Sequence, residues 1–368
     1  MRVIWAGTFE PSFSRNQRLA RLLELAGAEV VEVRVRLWDD DRIGVVLGGK
    51  LRTAARAALV YPRLLWRLWR LPPPDLYLVS YPGWFDMPAV AAVARLKRRP
   101  VVFDPFFLLY ETTVEDRALV RPGSLFARLV GWVDRLALRL AEGVIADTSS
   151  HLDYYRQFSG GRLRRGTVLE VGADDAVFRP ASTTASEGVL FYGTFVPLQG
   201  VEVIVNAAHL LPQVEFKLIG SGQDRGRIEE DIRTLGITNV TLVDSIPLDH
   251  LPAHIAESAV CLGIFGTSAK AGRVIPHKLF ECLAVGRPVV TRASPAVAES
   301  FSEDELVTVA PGDPEALAQA ISGLLVDTNK RERIAAAGAR AYQERFQERV
   351  LSRHLAEALA TWAVASRR

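Results

Sequence analysis

The chain has 368 residues, with 45 Lys and Arg against 42 Asp and Glu, a 49% hydrophobic fraction and only two cysteines. That length predicts two domains, and so much apolar content is incompatible with a disordered chain. A net charge of +3 gives no overall pull toward nucleic acid, two cysteines make no disulfide framework, and no apolar run reaches the ~18 residues of a membrane-spanning helix.

Strand and helix signals alternate from the first residues. Strands are predicted over 3–6, 30–35, 76–80, 101–103, 143–146 and 167–171, with helices over 15–27, 48–70, 86–97, 122–141 and 150–158. Such alternation packs as a parallel sheet with crossover helices. After Pro180 the small polar run ASTTASEG reads as a linker. The rhythm then restarts, with strands over 189–195, 215–219, 240–243, 260–265, 289–292 and 306–309 and helices over 200–210, 224–235, 274–285 and 314–325. From about Lys330 onward the composition is continuously helical. The opening MRVIWAGTF is a strand pattern without the apolar core of a signal peptide. With Cys261 and Cys282 in apolar surroundings, a cytoplasmic protein is expected.

The segment 263–290, GIFGTSAKAGRVIPHKLFECLAVGRPVV, carries the most chemistry. A buried strand ends in a loop with Lys270, Arg273, His277 and Lys278. An apolar-faced helix then holds a single acid, Glu281, and closes at Gly286 and Pro288. Open α/β sheets bind ligands where a loop leaves a strand and opens a helix. Cations at that helix start favour an anion, and one carboxylate a turn further in suits a pair of sugar hydroxyls. A phosphorylated sugar or nucleotide is the implied ligand. Two glycine turns, Gly193 to Gly200 around Thr194, and Gly220-Ser221-Gly222, also end strands and open helices, so their N–H groups can approach a phosphate.

Gly172-Ala173-Asp174 with Phe178 and Pro180, the stretches FKLIGSGQDRGRIEE and LGITNVTLVDSIPLDHLPAHIAESAVCLGIF, and IPHKLFECLAVGRPVV with Pro276 at its head together resemble the retaining GT-B glycosyltransferases of the group 1, family 4 type. The resemblance is close in the second half and one of rhythm in the first. It implies two Rossmann-like parallel-sheet domains facing a cleft: an acceptor-side domain 1–180 and a nucleotide-sugar domain 181–345. A C-terminal helix, 346–368, is expected to pack back on the first domain. It also implies sugar transfer with retained configuration and a nucleotide-sugar donor as substrate, with no cofactor; phosphate neutralisation by cationic side chains and helix dipoles removes the need for a metal. Two departures stand out. The family has two glutamates eight positions apart; the second matches Glu281, and the first position is Arg273. Its loop arginine and lysine fall at Thr194 and Gln199. Lys270, Arg273 and Lys278 are expected to supply the charge a diphosphate leaving group needs. A sugar-nucleotide epimerase of the same fold, or an inactive donor-binding relative, are the alternatives.

In the first half, Asp104 ends a buried strand at the place where the family often has a histidine. It is expected either to orient a sugar hydroxyl or to form a turn before Pro105. Gly7, after the first strand, is expected to approach the donor phosphates. Tyr110 to Thr113 reads as a polar loop, and Asp39-Asp40-Asp41 as a solvated loop, not a metal site. Between Asp41 and Asp75 there is no acid but seven basic residues, Arg63, Arg67 and Arg70 among them, interleaved with Trp66 and Trp69 and interrupted at Pro62. A similar basic region with Trp132 runs from Arg117 to Arg139. This composition suits an anionic membrane surface. The expected partners are therefore a nucleotide-sugar, a glycan or lipid-linked acceptor and possible anionic lipid, with no nucleic acid; peripheral association with the inner face of the cell membrane follows.

Overall fold

The computed structural model describes residues 1–36, 50–181 and 188–365, with backbone alone over 50–58 and at 365. The acidic run at Asp39 and most of the expected linker lie outside the described residues. The chain forms two compact units. The first comprises Met1–Tyr110, Val120–Leu169 and Leu351–Arg368; the second comprises Glu111–Leu119 and Glu170–Val350.

The first unit is a six-stranded parallel sheet of β1 (Arg2–Gly7), β2 (Glu29–Arg34), β3 (Leu76–Ser80), β4 (Val101–Asp104), β5 (Gly143–Ala146) and β6 (Gly166–Val168), in the order β2-β1-β3-β4-β5-β6. The inner strands are buried on both faces, which is why they read as unbroken apolar runs. One apolar cluster joins the sheet to α2 (Lys50–Arg70), α3 (Met87–Leu96) and α4 (Leu125–Leu140). The helix α2 runs unbroken through Pro62, where the sequence suggested an interruption. An internal proline costs about 3 kcal/mol. Two features offset that cost: Leu64 and Leu68 are fully buried, and Lys97 Nζ donates to the terminal carbonyls of Leu68, Trp69 and Leu71 at 2.7, 2.9 and 2.6 Å.

A second cluster in this unit joins α1 (Ser14–Leu25) to the C-terminal helix Glu348–Ala365. Leu351, Leu355, Leu359 and Trp362 form one helical stripe buried with Val3, Trp5, Leu76 and Leu78. Gly143 lacks a side chain where the Trp362 ring packs. The expectation that the C-terminal helix returns to the first domain holds.

The second unit is also a six-stranded parallel sheet: β7 (Val189–Tyr192), β8 (Phe216–Ile219), β9 (Val240–Val243), β10 (Val260–Leu262), β11 (Val289–Arg292) and β12 (Val307–Val309), ordered β12-β11-β10-β7-β8-β9. Numbered within the unit, this is the 3-2-1-4-5-6 order of a dinucleotide fold. In the 171–180 segment, Asp174 accepts from Ala176 N at 2.9 Å, Phe178 is buried, and Asp175 accepts from Tyr342 Oη at 2.6 Å and Glu348 N at 2.9 Å. That segment thus anchors the approach to the C-terminal helix.

Candidate donor site of the second unit

From β7 the chain moves to β8 and β9 on one side; from β10 it moves to β11 and β12 on the other. The loops leaving β7 and β10 therefore part at the switch point, where open parallel sheets accept ligands. Glycines let these loops close on one another. A Cβ on Gly220 would collide with the carbonyl of Gly193, one on Gly222 with the backbone of Phe195, and one on Gly200 with the backbone of Phe265 and Gly266. Gly200 also has φ of 63°, open to glycine at little cost. The three glycines thus shape the turns through protein–protein packing. Thr194 is exposed at the tip of the first loop.

The helix His277–Val285 starts after Pro276, which occupies its N-cap position in extended geometry. Lys278 lies in its first turn and is buried. Its Nζ donates to Gln199 Oε1 at 2.6 Å and stands 3.7 Å from the centre of the Phe191 ring. The same atom lies 3.0 Å from where a Gly193 side chain would begin. Lys278 thus brings an ammonium from the helix to the glycine turn after β7, beside the residue that stands where the family has a lysine. Burial lowers its pKa to about 7, against the opposing pull of Cys282 and Glu281. A cation in the first turn of a helix also opposes the helix dipole. Both strains are relieved by an anion.

Glu281 sits one turn further along, partly buried. Its Oε2 accepts from Tyr192 Oη at 2.7 Å. Tyr192 ends β7, and burial, together with Cys282 and Glu281, pushes its phenol well above the ordinary range. That shift favours the protonated phenol, which donates to Glu281. Sequence reading missed Tyr192, because a tyrosine closing an apolar strand looks like core.

Lys270 and Arg273 are engaged differently. The residues expected as a polar loop form a wide, π-type helical turn, Glu111–Asp116, counted with the second unit. Arg273 pairs with the fully buried Glu111 at 2.6 Å and with Glu115 at 3.4 Å. Lys270 Nζ donates to Thr112 Oγ1 at 2.8 Å, and Ser268 Oγ donates to Asp116 Oδ1 at 2.9 Å. Of the three expected cations, only Lys278 is directed to the glycine turn. The other two hold the Glu111–Asp116 turn.

Asp104 and Gly7 belong to the first unit. Asp104 is fully buried and accepts from Arg15 Nε at 2.9 Å, while Arg15 also donates to Leu169 O at 3.1 Å. Burial raises the Asp104 pKa and Arg15 opposes the rise. Gly7 has no side chain because Asp86 fills that space. Asp86 accepts from Thr8 N at 2.7 Å, Thr8 Oγ1 at 3.0 Å and Tyr61 Oη at 3.1 Å. Among the described residues, no three His, Cys, Asp or Glu side chains converge as a metal site.

Two family models match the chain: a glycosyl transferase 4-like domain over residues 13–172 and a glycosyl transferase-like domain over 200–361. The chain is a GT-B glycosyltransferase of the group 1, family 4 type. A curated relative, the lipopolysaccharide core biosynthesis glycosyltransferase LpsE of Rhizobium meliloti, is 26% identical over 219 residues. That match spans 59% of this chain and 62% of the relative's length. Among solved structures, Anabaena HepE in complex with UDP and glucose has a TM-score of 0.73 at 17% identity, covering 98% of this chain and 100% of that one. Sucrose-phosphate synthase from Thermosynechococcus elongatus gives 0.76 at 17% identity, covering 99% and 100%. These structures share the fold.

Proposed function

We propose that the chain transfers a sugar from a nucleotide-sugar to a glycan or lipid-linked acceptor of the cell envelope, with the donor in the second unit and the acceptor on the first. The observation that carries this reading is the Lys278 ammonium, buried in the first turn of its helix and directed at the glycine turn of the switch point. A diphosphate there would meet that charge and the positive end of the helix dipole. As the glycosidic bond breaks, negative charge grows on the leaving phosphate, and a fixed cation in a dry site lowers that barrier. Glu281 would take the ribose hydroxyls. Family resemblance supports retention, the departing phosphate receiving the acceptor's proton. Lys278 and the helix start supply the positive charge, so turnover is expected to survive chelation. Arg273, Lys270 and Asp104 are assigned to positioning: their partners are the Glu111–Asp116 turn and Arg15.

UDP is the first nucleotide to test, since HepE binds it; the cell-envelope assignment draws on the name of the LpsE relative. A thermal-shift screen of UDP, GDP, ADP and their sugars should reveal one stabilising series, because a ligand of the native state raises apparent stability. Lys278→Ala and Glu281→Ala should each weaken binding or turnover by about tenfold or more, roughly 1.4 kcal/mol. Unchanged kinetics in both would remove the donor-site assignment.

Peripheral membrane association is part of this proposal. Among the described residues no helix is long and apolar enough to cross a membrane. The exposed faces of α2, α3 and α4 carry Arg63, Arg67, Arg70, Arg95, Arg128 and Arg135 beside exposed Trp66, Trp69 and Trp132. The one acid in these helices, Asp134, is fully buried and accepts from Leu109 N and Tyr110 N. Their outward faces therefore combine cations and indoles without a carboxylate, which suits an anionic bilayer. Replacing Trp66, Arg67, Trp69 and Arg70 together should reduce sedimentation with phosphatidylglycerol vesicles. Equal sedimentation before and after would end this part of the proposal.

A further inference from the structure

We infer that Tyr192 is a positioning residue, holding the Glu281 carboxylate in the orientation that receives the ribose of the nucleotide. The inference rests on the reading of Glu281 given above and adds what makes that carboxylate selective.

A glutamate on a helix surface has three side-chain torsions, and ordering it costs entropy of about 1.5 kcal/mol or more. Here one of its oxygens is pinned. Tyr192 Oη reaches Glu281 Oε2 at 2.7 Å from the end of β7. An O–H donating to a carboxylate makes a strong, directional bond. The donor itself is fixed: Tyr192 is buried, its hydroxyl lies 3.4 Å from the carbonyl of Lys278 and 3.6 Å from Cys282 Sγ, and its backbone is paired into the sheet. The strand thereby sets the direction of a side chain carried by the helix. Lys278 and Glu281 lie three residues apart on that helix, and the tyrosine touches both, through a carbonyl and a carboxylate. Diphosphate and ribose recognition are thus tied to a common ring. Burial pushes the phenol above its ordinary range, which favours the protonated form that donates this bond.

The test compares nucleotides that differ only in the hydroxyls Glu281 would read. Titration calorimetry would measure binding of UDP, GDP and ADP, and of the 2′,3′-dideoxy form of whichever binds best, to the wild type, Tyr192→Phe, Glu281→Gln and the double variant. The wild type should prefer the ribonucleotide by about tenfold, as expected for hydrogen-bonded hydroxyls. Tyr192→Phe should reduce that preference at least threefold while leaving dideoxynucleotide affinity within about twofold, and should add nothing in the Glu281→Gln background. The dideoxynucleotide affinity also reports that the variant is folded. A preference unchanged by Tyr192→Phe overturns the inference, as does an equal loss for both nucleotides. A wild type that binds both forms equally overturns the ribose reading of Glu281 and the inference with it.

Discussion

Lys278 is a lysine in an unfavourable place, and its function follows from that. Burial holds its pKa near 7, against an ordinary 10.5. Above about pH 7 the free protein carries it increasingly neutral, and a diphosphate arriving beside it restores the proton. Nucleotide affinity should therefore be level below about pH 7 and fall with each unit above it. Calorimetry in buffers of different ionisation enthalpy should detect proton uptake on binding near pH 8. A flat affinity across that range would show that Lys278 does not meet the phosphate. Stability without ligand runs the other way. Between pH 7 and the ordinary lysine value, the unfolded chain binds a proton that the native state lacks. The contribution of Lys278 to stability therefore rises with pH through that window, and its burial is most costly below it. Lys278→Met should raise the melting temperature at about pH 6 while weakening nucleotide binding by about tenfold, the familiar opposition between stability and function. A variant with a lower melting temperature and intact binding would reverse the assignment.

The elements were legible to different degrees, for physical reasons. Parallel strands buried on both faces announce themselves as apolar runs, so both sheets could be read from the sequence, and Pro276, Lys278 and Glu281 could be placed at one helix start. The turn Glu111–Asp116 could not. Its six residues, ETTVED, look like a solvated loop, and the cations that hold them lie about 160 residues away, at Lys270 and Arg273. Local pattern carries no trace of such a pairing. The same blindness made Arg273 look available to a phosphate when it is bonded to Glu111, and hid the tie between Tyr192 and Glu281. Glu111 is fully buried beside a largely buried arginine. Removing Glu111 takes away the short contact and leaves Arg273 the longer one to the partly exposed Glu115. Glu111→Ala should therefore destabilise the chain by about 3 kcal/mol, read from a shifted urea midpoint at constant slope. A change within about 0.5 kcal/mol would class the pair with surface salt bridges.

Across the whole molecule, the chain's final helix is part of the unit that its first residues begin. Leu351, Leu355, Leu359 and Trp362 fill a layer with Val3, Trp5 and Leu76 that the first half alone would leave exposed. Trp362→Ala should cost about 3 kcal/mol by opening a cavity against Gly143, seen as a lower urea midpoint. No loss of stability would place the helix outside the cooperative core. The central claim concerns the other unit: a nucleoside diphosphate sits where β7 and β10 part, on Lys278. A crystal structure with bound nucleoside diphosphate tests it most directly. The account predicts phosphate oxygens within hydrogen-bond reach of Lys278 Nζ and the first turn of the helix His277–Val285, with the ribose at Glu281. A nucleotide seated elsewhere, with Lys278 still bonded to Gln199 and out of its reach, would contradict it.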